Sequence, residues 1–201
     1  MRTERLQALA DGVFAIALTL LVLGLPTLTG SEHLGADLLS HWPSYAAYVV
    51  SFVTLAIVWL NHRALFDVVR VADRTLVELN LLLLLFVSVV PWPTGLVANH
   101  LRDASAARAA AVVYGLVMTA MSGTFTLIWI RLVRGKRLVH AEHRARLRRA
   151  LRRSAIGPAA YATATVVAVF SAPAALVLYA ALAAYFAVSG RGPSSAARGT
   201  A

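Results

Sequence analysis

The stretch Arg5-Leu6-Gln7-Ala8-Leu9-Ala10-Asp11-Gly12-Val13-Phe14-Ala15-Ile16-Ala17-Leu18-Thr19-Leu20-Leu21-Val22-Leu23 carries charge at Arg5 and Asp11 and nowhere after. From Gly12 the uncharged run continues to Ser31, the length of one bilayer span of about 20 residues. Working outward, uncharged windows recur at Trp42 to Leu60, Leu79 to Asn99 and Ala109 to Ile130. The last, Ser154 to Gly190, is too long for one span, and Pro173 within Ser171-Ala172-Pro173-Ala174 removes a helical hydrogen bond near its middle. It reads as two short helices. The expectation is an all-α membrane protein of six transmembrane helices over residues 1–190, followed by a small, polar, disordered tail at 191–201. Loops are expected around Pro26 to His41, Arg63 to Glu78, His100 to Arg108, Arg131 to Arg153 and Ser171 to Pro173.

Composition agrees with this class. Of 201 residues, 59% are hydrophobic and 14% charged, against roughly 45–50% and about 25% in soluble domains. The mean hydropathy is +0.71. An ordinary soluble domain, a disordered chain and a disulfide scaffold are excluded. With no cysteine, thiol catalysis and Cys-ligated metal are impossible. The net charge of +10 would suggest nucleic acid in a soluble protein, but its placement says otherwise. Arg2 and Arg5, then Arg63, Arg70 and Arg74, then the cluster from Arg131 to Arg153, then Arg191 and Arg198 fall on one side of a six-span topology. The other side has Arg102 and Arg108. The positive-inside rule accounts for this with both termini cytoplasmic, and no nucleic-acid partner is needed. The run Arg144 to Arg153 lies where anionic lipid headgroups would meet it. The first apolar segment is too long for a signal-peptide core, contains Asp11 and lacks an A-x-A cleavage site.

Asp11 sits at the entrance of the first span, where an ionisable group is either a functional residue or an interfacial helix start beside Glu4 and Arg5. At 100° per residue Gly12, Ile16, Leu20, Leu23 and Thr27 share a direction within about 40°, with Thr19 at the margin and Asp11 facing elsewhere. Taken alone, such an aliphatic stripe reads as lipid contact or packing. Elsewhere, Asn80 and Ser88 suit interhelical hydrogen bonds, and Gly115, Ser122 and Gly123 suit close helix packing. Pro91 and Pro93 end or kink the third helix, with Trp92 at the interface. His140, Glu142 and His143 have a helical metal-ligand spacing but no further ligand nearby, so no metal is expected. No nucleophile-base pairing, phosphate loop or nucleotide motif is present, which argues against an enzyme.

The first stretch closely resembles the first-helix signature of the TMEM175 family of potassium channels, R-x-x-x-F-S-D-G-V-F-A-I-A-x-T-L-L-V-L. Trp59-Leu60-Asn61-His62-Arg63-Ala64-Leu65-Phe66 resembles the family's Trp/His-rich end of the second helix, and Asn80 to Thr94 is similar to its third. Leu9-Ala10 replaces the family's Phe-Ser, and Arg63 stands where a second histidine is common. The resemblance implies a homotetramer of one six-helix unit, multi-pass in the plasma membrane, with the first helices around a central axis. The Arg-rich, Lys-poor usage points to a GC-rich bacterial genome. The family resemblance further implies a pore lined by Ile16, Thr19, Leu20 and Leu23, the stripe that helical geometry isolates, with potassium as the permeant ion and no cofactor. A ring of aliphatic side chains gates by dewetting, and Thr19 offers the one hydroxyl near it. Asp11 would tie the first helix to the second through Arg5, Trp59, Asn61 and His62, with His62 as a structural hydrogen-bonder or a proton sensor. A proton-coupled secondary transporter and a non-conducting membrane scaffold are the competing readings. Neither internal repeats nor helices broken at the midplane, the usual marks of a transporter, are evident.

Overall fold

The computed structural model describes residues 3–28, 33–101, 103–135, 137–139, 147, 150–152 and 154–189. Helix α1, Thr3–Leu20, tightens into a 3₁₀ turn at Leu21–Gly24 and ends where Leu25 becomes extended ahead of Pro26. A short helix α2, Leu34–Ser40, leads into α3, Trp42–Phe66, whose first turn holds Pro43. Next come α4, Arg74–Val89, α5, Pro91–His100, and α6, Ala104–Arg134. Two shorter helices follow, α7, Ile156–Phe170, and α8, Ala172–Ser189.

Local chemistry sets the boundaries. Asp73 caps α4 by accepting from the Leu76 amide at 3.0 Å, and Asp103 caps α6 by accepting from the Ser105 amide and hydroxyl, each at 2.8 Å. These Ser105 bonds, with the Ala106 amide, hold the Asp103 carboxyl below its ordinary value. Pro91 opens α5 while Val90 keeps helical dihedrals, so α4 and α5 form one broken span. Ser171 is extended and separates α7 from α8, with Pro173 in the first turn of the latter, where a missing N–H costs nothing.

Four spans, Thr3–Gly24, Trp42–Phe66, Arg74–His100 and Ala104–Arg134, are long and apolar enough to cross a membrane. Each exceeds the uncharged window that announced it, apart from the first, which begins and ends earlier. Charged residues near helix ends cap them, pair or reach toward water, so they bound the hydrocarbon-embedded part and not the helix. The 31 residues of α6 span roughly 46 Å at 1.5 Å per residue, well beyond a bilayer core of about 30 Å. The expected loop from Pro26 to His41 contains α2, and Thr27 lies beyond α1, so it leaves the expected stripe. Most of the basic run Arg144 to Arg153, all of His140, Glu142 and His143, and the tail at 191–201 fall outside the described residues.

The core lies between α6 and its neighbours α4, α5, α7 and α8, with α1 laid over α3 and α4. Gly115 of α6 takes the closest approach, because a Cβ there would overlap Tyr179 Oη and Thr165 Oγ1. Gly123 borders open space, so only one of the two α6 glycines serves packing. Buried hydroxyls join the helices. Thr94 donates to Ser51 Oγ at 2.9 Å, Ser51 to Tyr114 Oη at 3.2 Å, and Tyr179 to the Ala111 carbonyl at 3.1 Å. At the Arg-rich end, Arg70 N donates to the Leu138 carbonyl at 2.8 Å beside a Val69–Val139 bridge, and Arg131 pairs with Asp73.

Candidate functional site

Helix α1 divides into two faces. Leu6, Ala10, Phe14, Ala17 and Leu21 are buried against the protomer, each 1% exposed or less. The opposite face leaves Ile16, Leu20 and Leu23 at 60%, 40% and 76% exposure, large apolar side chains that their own chain covers only in part. Gly12 and Thr19 are exposed on the same side.

The 3₁₀ turn changes the expected geometry in one respect. In a 3₁₀ helix positions i and i+3 eclipse, so Leu23 is brought toward the line of Leu20 instead of drifting about 60° from it. Four residues of α-helix and three of 3₁₀ helix each advance about 6 Å, so Ile16, Leu20 and Leu23 form three evenly spaced apolar levels. Between them, the Thr19 hydroxyl donates to the Ile16 carbonyl at 2.8 Å. Its proton is thereby used within the helix, and the oxygen lone pairs remain for a ligand that needs acceptors.

At the start of α1, Trp59 Nε1 donates to Asp11 Oδ1 at 2.7 Å. The Arg63 guanidinium lies 5.2 Å from the centroid of the same indole, a cation–π contact one helical turn along α3. His62 is turned the other way. It is buried, hydrogen-bonded through Nε2 to Asn80 Oδ1 of α4 at 2.8 Å, with Phe14 and Phe66 ring centroids at 5.8 and 4.5 Å. The geometry therefore divides the expected Asp11 network. Trp59 meets Asp11, while His62 meets Asn80. Among the described residues, no hydrogen bond or ion pair engages the exposed side chains of Arg5 or Asn61.

Two features escaped the sequence reading. Phe14 and Phe66 flank His62; the crossing of α1 and α3 alone could reveal the first, while the second is an i,i+4 neighbour on α3. The Asp73–Arg131 pair joins residues 58 positions apart, although Asp73, three residues before Leu76, is a readable helix cap. Among the described residues no group of three His, Cys, Asp or Glu could hold a metal ion.

A bundle of long apolar helices that leaves one apolar face of its first helix uncovered defines a helical membrane protein. The model of the family described as endosomal/lysosomal potassium channel TMEM175 matches residues 5–91. A potassium channel of Streptomyces collinus is 44% identical over 185 residues, covering 90% of each chain. A potassium channel of Chamaesiphon minutus is 35% identical over 191 residues, covering 92% of this chain and 94% of that one. The crystal structure of a lysosomal potassium-selective channel TMEM175 homolog from Chamaesiphon minutus superposes with a TM-score of 0.84 at 34% identity, over 94% of this chain and 98% of that chain. The chain belongs to the TMEM175 family.

Proposed function

We propose that this protein is the protomer of a potassium-permeable channel, in which four copies surround a pore lined by α1. The observation that carries the reading is the uncovered face of α1, where Ile16, Leu20 and Leu23 stand outward while the opposite face is buried. The naming of its full-length relatives as potassium channels supports it. In this reading α1, α3, the α4–α5 unit, α6, α7 and α8 are the six spans. Both termini and the Arg-rich loops are cytoplasmic, in keeping with the positive-inside rule.

The mechanism follows from hydration. A narrow ring of four isoleucines or leucines offers no oxygen to replace an ion's water shell, so the closed pore blocks ions by dewetting. Conduction requires these rings to widen and wet. Potassium, the more weakly hydrated of the two common monovalent cations, then passes at lower cost than sodium. The four Thr19 oxygens between the Ile16 and Leu20 levels partly replace lost water. On the protomer side, Asp11–Trp59 and His62–Asn80 hold α1 on α3 and α3 on α4.

The test is passive cation flux into liposomes holding the purified protein, with potassium and sodium compared. The Ile16→Ala, Leu20→Ala double variant runs alongside. Potassium-favouring flux that rises several-fold in the double variant is expected. Saturable flux coupled to a second gradient would replace the channel with a carrier. No cation movement from folded, tetrameric protein would leave a scaffold.

A further inference from the structure

Between α1 and α3 lies α2, a helix of seven residues without one buried side chain. At 100° per residue Leu34, Leu38 and Leu39, with Gly35, occupy one arc of about 140°, and Ala36, Ser40 and Asp37 occupy the opposite one. The three leucines are 51%, 45% and 78% exposed. A helix this short is marginal in water, where even good sequences need about 12–15 residues. Its last turn is closed by His41 Nδ1 and Ser40 Oγ on the Asp37 carbonyl, at 2.7 and 2.9 Å, but these bonds leave the apolar arc uncovered.

The surroundings say what covers it. Trp42, 66% exposed, opens α3, and Val49 and Phe52 continue an exposed apolar face along that membrane-length helix. The leucine arc therefore lies next in sequence to the exposed apolar face of a membrane-length helix. Its level is also defined. Ser44 donates to the Ala98 carbonyl at 2.6 Å, which puts the start of α3 beside the end of α5, near His100 and the Asp103 cap, where polar groups return to water. An amphipathic helix with a tryptophan at this level fits the boundary between headgroups and acyl chains.

We propose that α2 is an interfacial helix, seated with Leu34, Leu38 and Leu39 in the lipid leaflet at that end of the spans and with Ala36 and Ser40 toward water. It anchors the connector that follows Gly24 to the membrane surface. The inference rests on the membrane location of the chain and is independent of ion conduction.

Because the chain has no cysteine, a single introduced one carries a label at one site. Nitroxide-labelled Leu38→Cys and Ala36→Cys full-length proteins in liposomes would be exposed to oxygen, which concentrates in lipid, and to a water-soluble nickel chelate. The expected oxygen-to-nickel collision ratio is at least fivefold higher at residue 38 than at residue 36. Should Leu38→Cys fail to insert, Leu34→Cys reports the same arc. Nickel-dominated collisions at both sites, oxygen-dominated collisions at both, or an immobile label at residue 38 shielded from both reagents would each overturn the proposal. The last of these would mean that protein, such as a second copy, covers the arc.

Discussion

Trp59 of α3 donates its indole N–H to Asp11 of α1 at 2.7 Å, and Arg63 rests over the same ring, so the acid that borders the uncharged run of α1 is held by a residue 48 positions away. The indole serves as both donor and platform. Its hydrogen bond requires an acceptor oxygen and does not depend on a negative charge.

That distinction predicts an order. Trp59→Phe keeps an aromatic ring and removes the donor, at roughly 1 kcal/mol for the lost bond, or about 2–4 °C in melting temperature for a chain of this size. Asp11→Asn retains Oδ1 as acceptor and should lose less than Asp11→Ala. Thermal unfolding followed by size-exclusion chromatography in detergent measures all three, and equal losses for Asn and Ala would contradict the hydrogen-bond account.

Thr19 offers only its lone pairs outward, since its proton is committed to the Ile16 carbonyl. Thr19→Val preserves shape and removes that oxygen, so the potassium-to-sodium flux ratio should fall toward unity. Thr19→Ser should preserve it. Bi-ionic reversal potentials read the ratio, and an unchanged value in the valine variant would remove Thr19 from ion contact.

The glycines of α6 make opposite predictions. Gly115→Ala drives a methyl group into Tyr179 and Thr165 and should destabilise by about 1–3 kcal/mol, as overpacking does. Gly123→Ala meets nothing within 4 Å and should be neutral or slightly stabilising through helix propensity. Adding Thr165→Ala to Gly115→Ala should restore part of the loss. Melting temperatures of the single and double variants decide this.

Asp73 both caps α4 and pairs with Arg131. Asp73→Ala loses both roles, with the cap alone worth about 1 kcal/mol. Asp73→Asn keeps an acceptor for the Leu76 amide and should cost less. Arg131→Gln removes the charge pairing only, and since both side chains are about a third exposed, 31% each, its effect should be small. Hydrogen exchange at the first turn of α4 would show Ala opening that turn while Asn and Gln protect it.

Much of the architecture could be read along the chain. Charge spacing located every membrane-length helix, and Pro173 marked the break that falls at Ser171. The face of α1 was legible because Ile16 and Leu20 repeat at four residues. Beyond Leu20 the α-helical period no longer holds, because the chain tightens into a 3₁₀ turn and then extends, which takes Thr27 out of the stripe. No propensity in Leu21-Val22-Leu23-Gly24 announces that turn. Gly24 lies against Gly95 of α5, where an added Cβ would come within 3.1 Å of the Gly95 Cα.

By itself, then, the sequence determined that this is a membrane protein, where its four long apolar spans lie and which side of α1 is left bare, because uncharged length and helical period are local properties of the chain. The tertiary structure alone decided which polar group meets which. Trp59 and His62 stand three residues apart on one helix, yet the first reaches Asp11 and the second Asn80. Three residues turn an α-helix through about 300°, and where each direction leads depends on which helix packs there.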